Sequence, residues 1–282
     1  VANSVIAPIG VDGEVCLFTS VTTDLIVDLA GAIGPDAGFV PIRPERVLDT
    51  RLADLTEPPG ADPGTGGTVV GIDLAEHPGV AEDAVAVSLN LTAVDPTVAG
   101  YATVFPCGDD QPATSNLNAE PGINMAAKVV TTLGPERTVC IFTSGPMDLV
   151  VDLSGSFREG TSIVPLTPPE RATDTRWTSP VAAGSTLVVD VGAAVDLPST
   201  ANAVLVNLTA VDAESPGGFL TVHRCGDPLP PTSNLNVRAG QTIANSVIAP
   251  LGTDGTLCVF TSVTTHVLVD VGASLVASAP ER

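Results

Sequence analysis

Apolar residues in this chain alternate with polar ones, or run in short blocks between turn residues, so the repeat along the backbone is two and not 3.6. "TVVGIDLA", "AVAVSLNLTAV", "GYATVFP", "TVCIFTS" and "MDLVVDLSGSF" are rich in Val, Ile, Thr and Phe and are bounded by Gly, Pro, Asp or Asn. Both features predict β-strands. In "SLNLTAV", Ser88, Asn90 and Thr92 share one face and Leu89, Leu91 and Ala93 the other. No segment sustains a capped helical period. "LAEHPGVAEDA" and "GAAVDLPSTANA" predict irregular crossings holding at most a short helical turn.

The strand phrases recur. "NLTAVD" stands at 90–95 and 207–212, "TSNLN" at 114–118 and 232–236, and "PERVLDTR" ending at Arg51 returns as "PERATDTR" ending at Arg176. The first copy is longer because "TEPPGADPGTGG" follows its DTR, a Gly/Pro loop that lengthens at little thermodynamic cost. A third phrase occurs three times, as "CLFTSVTTDLIVDLAG", "CIFTSGPMDLVVDLSG" and "CVFTSVTTHVLVDVGA". The division this predicts is two full modules, 38–157 and 161–282, preceded at 1–33 by the C-terminal part of an incomplete one. Seven to nine strands per module predict an all-β chain of tandem antiparallel β-sandwiches, jelly-roll or Ig-like, with a barrel or β-trefoil as alternatives.

Cys107 and Cys140 lie 33 residues apart, as do Cys225 and Cys258. Equal spacing at equivalent places predicts one disulfide per module and an oxidising compartment. Cys16 corresponds to Cys140 and Cys258 and is left unpaired or intermolecular. A competing register joins Cys16 to Cys107 and Cys140 to Cys225. The fragment at 1–33 has three accounts: it is cut from a longer array, it supplies strands to a neighbouring chain, or it packs on the first module as an accessory sheet. A heterologous contact of the second kind, if it does not close, makes a filament.

Composition narrows the partners. The 32 acidic residues against 11 basic give a formal charge of −21, which disfavours nucleic acid, whose binding needs a basic surface. The charge serves solubility first, with adaptation to saline surroundings or adsorption of divalent cations as the sharper reading. No apolar run reaches the roughly 18 residues of a membrane-spanning helix. The cysteines form no metal-ligand cluster such as CxxC, so neither a metal nor a cofactor is expected.

Catalysis requires grouped functional residues. His77, His223 and His266 have no histidine counterparts in the sister module, and neither a nucleophile elbow nor a phosphate-binding fingerprint occurs. Asp28, Asp152 and Asp270 recur in the VD phrase. A glycosidase needs only two facing carboxyls, but a plainer use is structural: Asp49 with Arg51 or Arg46, and Asp174 with Arg176 or Arg171, make charge-assisted bonds at each module's entrance strand. Asn90-Leu-Thr92 and Asn207-Leu-Thr209 match the glycosylation acceptor, a reading their strand context weakens. The amides of Asn116, Asn118, Asn234 and Asn236 are candidates for contact with a sugar or mineral surface, although such residues equally satisfy backbone groups at strand ends. The single Trp177 and single Tyr101 do not recur, which leaves a sugar platform unsupported.

In module order, "PIRPERVLDTR", "VSLNLTAVDPTVAGYATVFPCG", "PATSNLNAEPG" and "TVCIFTSGPMDLVVDLSGSF" resemble a β-rich repeat module found in tandem in secreted and cell-surface proteins of actinobacteria and related bacteria. The resemblance covers practically the whole chain. Its order, from the DTR phrase to the VDxxG phrase, implies the Cys107–Cys140 and Cys225–Cys258 pairing and an exported, surface-associated role. It carries no catalytic residues, and residues 1–33 depart from it by lacking the DTR, NLTA and SNLN parts. The function expected is a non-catalytic structural or adhesive surface repeat that assembles with its own kind, head to tail, through residues 1–33. The alternative is a module binding carbohydrate or cell wall, and a hydrolase is the remote third.

Overall fold

The computed structural model describes residues 2–34, 37–52, 67–160, 162–214 and 217–276. Most of the "TEPPGADPGTGG" insertion lies outside them. Sixteen strands are described, in two sets of eight. The first set is β1 (Phe39–Asp49), β2 (Thr68–Asp73), β3 (Ala84–Val94), β4 (Gly100–Pro106), β5 (Leu117–Ala119), β6 (Met125–Thr132), β7 (Thr138–Thr143) and β8 (Asp148–Arg158). The second is β9 (Ile163–Asp174), β10 (Ser185–Asp190), β11 (Ala201–Val211), β12 (Gly218–Arg224), β13 (Leu235–Val237), β14 (Ile243–Pro250), β15 (Thr256–Thr261) and β16 (His266–Val276).

Each set forms two antiparallel four-stranded sheets. The orders are β1-β8-β3-β6 and β2-β7-β4-β5 in the first, and β9-β16-β11-β14 and β10-β15-β12-β13 in the second. The first strand therefore pairs with the eighth, the second with the seventh, the third with the sixth and the fourth with the fifth. A long hairpin folded over on itself in this way is the eight-stranded jelly roll, and its strand order separates it from the Ig-like sandwich.

Period-two alternation places the core. On β3, Leu89, Leu91 and Ala93 are fully buried between the sheets, while Asn90 and Thr92 face outward. The last residue of "NLTAVD" has its own reason: Asp95 and Asp212 both adopt positive φ, 46° and 52°, a conformation that short polar side chains tolerate better than most. The crossing after β10 holds α1 (Val191–Ala194), one helical turn capped by the Asp190 carboxylate, which accepts from the Ala193 amide.

Residues 2–34 behave differently. Their letters predict strands, yet none of them is in a strand here. Val5, Val15, Leu17, Phe18, Leu25, Val27 and Leu29 are all exposed. The segment touches the rest at its start. Asn3 Oδ1 accepts from the Lys128 amide of β6, and the Ser4 amide donates to Asn245 Oδ1 of β14. These first contacts lie along β6 and β14, the outer strands of their sheets, but they run through asparagine side chains and not through a backbone ladder.

Candidate functional site

The DTR phrase closes the entrance strand of each module. Asp49 is buried at the end of β1 and accepts from Arg51 Nε at 2.7 Å, Arg51 Nη2 at 2.6 Å, the Arg51 amide at 3.2 Å and Arg46 Nη1 at 3.3 Å. Arg46 also donates to Asp152 of β8 at 2.9 Å, the residue opposite it in the ladder. The second module repeats the arrangement. Asp174 accepts from Arg176 Nη2 at 2.6 Å and Arg171 Nη1 at 3.3 Å, and Arg171 Nε donates to Asp270 at 2.7 Å.

The middle letter is used as well: Thr50 Oγ1 accepts from the Leu149 amide at 2.9 Å, and Thr175 Oγ1 from the Val267 amide at 2.8 Å. Each phrase thus ties the first strand of its module to the last.

The electrostatics match a brace. Hydrogen bonds from Arg51 hold the Asp49 carboxyl down to about 2, against the burial that opposes them, and Arg176 holds Asp174 below the usual range. Asp270 moves the other way, because its burial outweighs the hydrogen bond from Arg171. It borders a cavity of about 30 Å³ between the modules, beside Ser115 and Asn116, which is room for roughly one water. Among the described residues no three His, Cys, Asp or Glu side chains group to hold a metal ion.

The candidate amides fall into two classes. Asn116 Oδ1 accepts from the Val104 amide and Asn234 Oδ1 from the Val222 amide, both at 2.7 Å, so these two pin the loop before the fifth strand. Asn118 and Asn236 lie directly across from Tyr101 and Phe219 in the ladder. Here the sequence reading missed a signal. Tyr101 has no Tyr counterpart, but its place recurs as Phe219, as superposing "GYATVFP" on "GFLTVHR" indicates. Tyr101 packs on Phe142 with ring centroids 5.8 Å apart, and Phe219 on Phe260 at 5.9 Å, so each module carries a half-exposed ring pair with an amide beside it.

Disulfides join Cys107 to Cys140 and Cys225 to Cys258, while Cys16 is free and exposed. His77 Nε2 lies 3.4 Å from Glu45, His223 Nδ1 3.0 Å from the Arg224 carbonyl and His266 Nδ1 3.3 Å from Thr175 Oγ1; the three stand in separate places. Asn207 Nδ2 donates across the module junction to the Ser115 carbonyl, and Arg171 Nη2 reaches the Ala113 carbonyl at 3.4 Å. No helix among the described residues is long and apolar enough to cross a membrane.

No protein-family model matches the chain, and no curated protein does. Among solved structures, the tandem CBM22-1–CBM22-2 domain of Paenibacillus barcinonensis Xyn10C is 9% identical, covering 75% of this chain and 84% of that one, with a TM-score of 0.24. GK1651 from Geobacillus kaustophilus is 10% identical, covering 86% and 98%, with a TM-score of 0.21. At such scores neither likeness carries an argument.

Proposed function

We propose that the chain is a non-catalytic extracellular repeat protein of the cell surface, in which disulfide-clamped jelly rolls serve as structural or adhesive units that assemble head to tail through residues 1–33. The observation that carries this reading is the fate of the repeated polar residues. The Asp and Arg of both DTR phrases, Asp152, Asp270, Asn116 and Asn234 are all engaged in bracing strands and loops, and Asn207 in joining one module to the next. Two disulfides fit an oxidising location. Deleting residues 1–33 tests the assembly. Electron microscopy and sedimentation should find oligomers for the full chain and monomers for the shortened one; identical behaviour of the two overturns the head-to-tail reading.

A second reading, contact with a cell-wall or surface glycan, is favoured by the ring pairs with Asn118 and Asn236 beside them, since exposed rings offer an apolar platform and amides a polar edge. Replacing Tyr101 and Phe219 with Ala should abolish retention on insoluble glycan. Retention unchanged by the double substitution, or absent from the natural chain, rejects it.

A further inference from the structure

Residues 2–34 hold nearly the same letters as β14 to β16. Ala2–Pro8 repeats Ala244–Pro250 without a change, and Phe18–Thr23 repeats Phe260–Thr265. The environments of the two copies are opposite. Val247, Leu257, Val259, Val267, Val269 and Val271 are buried in the second module's core, Val269 at 0% exposure, while Val5, Val15, Leu17, Leu25, Val27 and Leu29 stand in solvent, Val27 at 67%. The contacts that the segment does make are loose: Ile6 and Ile33 border a cavity of about 250 Å³, where a packed interior leaves few voids larger than a water molecule.

Resting on the structural-repeat reading above, we propose that residues 2–34 are the sixth to eighth strands of a further jelly roll, completed by a polypeptide half that carries strands one to five in the manner of Ile163–Val237. Three features define that half. In the second module, β14 pairs with β11, β15 lies between β10 and β12, and β16 lies between β9 and β11, so the incoming half must bring five strands in the order β9 to β13. Arg171 meets Asp270, so the half must carry the equivalent arginine for Asp28. Cys225, just beyond β12, bonds Cys258, so it must carry a cysteine there for Cys16.

The seat is of the second module's kind, because β6 reads "MAAKVVTT" where β14 and residues 2–8 both read "ANSVIAP". Strand donation of this sort combines ladder hydrogen bonds with burial of alternate side chains. Closure is then oxidative: the two thiols lose two electrons and two protons to a low-molecular-weight disulfide such as oxidised glutathione, which is reduced to two thiols.

The test fuses a second copy of residues 162–242 ahead of Val1, leaving both existing modules intact, and refolds the product in a glutathione redox buffer. Free thiol should fall from one per chain to none, peptide mapping should join Cys16 to the added cysteine, and residues 2–34 should gain protection from hydrogen exchange. Introducing Val27→Asp into the fusion should leave two free thiols, Cys16 and the added cysteine. A Cys16 that still reacts with a thiol reagent in the unsubstituted fusion, with residues 2–34 exchanging as fast as in the natural chain, overturns the proposal. A complementary chain ending at residue 242 lacks β14 to β16 and retains Cys225; there Cys16 should bond Cys225, within one chain or between two, and Cys225 found free counts against the seat. These readouts are independent of whether the full chain oligomerises, so a failure here is distinct from a failure of the head-to-tail reading.

Discussion

Asp49 and Lys128 show how burial and pairing compete at single side chains. The Asp49 carboxyl is held near 2, below its unfolded value of about 3.9, so the folded chain binds fewer protons between those values. The stabilisation is present in full above pH 4 and is lost as pH falls from there through 2, and solvent around the half-exposed Arg51 screens its size. Arg51→Ala removes the main cause. Its midpoint of acid unfolding should move upward and its stability at pH 7 should drop, both measurable by circular dichroism titration and urea unfolding.

Lys128 presents the reverse case. It is 4% exposed, its Nζ donates to Ser154 Oγ at 3.0 Å, and burial pushes it down to about 8. The unfolded chain binds more protons between pH 8 and about 10.4, so stability should rise across that interval, and below it the charged amine costs the fold on the order of 3 kcal/mol. Lys128→Met should therefore raise the unfolding free energy at pH 7 by about 1–3 kcal/mol after loss of the Ser154 bond, with a higher urea midpoint, and flatten the rise above pH 8. A midpoint unchanged or lowered at pH 7 contradicts this account.

For the strands and their connections, a backbone approach sets the tolerances that side-chain lists conceal. Gly134, at the turn between β6 and β7, lies against the first disulfide: a Cβ there would stand 2.3 Å from the Cys107 carbonyl oxygen and 2.7 Å from its nitrogen. Gly134→Ala must displace backbone, and overpacking of this kind costs about 1–3 kcal/mol. Calorimetry should show a lowered first-module transition with the Cys107–Cys140 bond still formed.

Much of this organisation was legible in the letters. Alternation in "AVAVSLNLTAV" located the inward Leu89 and Leu91, and equal cysteine spacing at equivalent places favoured the pairs that the structure contains. Strand order was not legible, because pairing the first strand with the eighth is a long-range choice that period two says nothing about. The ring pair went unread because Tyr101 and Phe219 share a place and not a letter. Residues 2–34 carry strand letters without strand structure, since a strand exists only where another edge receives it.

Taken together, the two modules form a short array whose stability is a sum of module terms and one junction term. Among the described residues the junction combines packing of β14 against β5 and β6 with polar contacts: Asn207 Nδ2 to the Ser115 carbonyl, Arg171 Nη2 to the Ala113 carbonyl at 3.4 Å, and Thr132 Oγ1 with Thr167 Oγ1 at 3.0 Å. Arg171 also braces Asp174 and Asp270 inside the second module, so replacing it perturbs two terms at once. Asn207 is the cleaner probe, and Asn90 is its built-in control. Asn90 occupies the same place on β3, where its Oδ1 accepts from Asn3 Nδ2 at 3.3 Å and its Nδ2 donates to Thr92 Oγ1 at 3.5 Å, neither of them a contact with the second module.

Asn207→Ala should lower the second module's unfolding free energy in urea toward that of an isolated fragment 160–282, by about 1 kcal/mol, and should speed hydrogen exchange in the 109–116 loop. Asn90→Ala should stay within about 0.5 kcal/mol of the natural chain. Equal losses from the two substitutions would mean that this asparagine serves its own sheet in both modules and that the junction is held elsewhere.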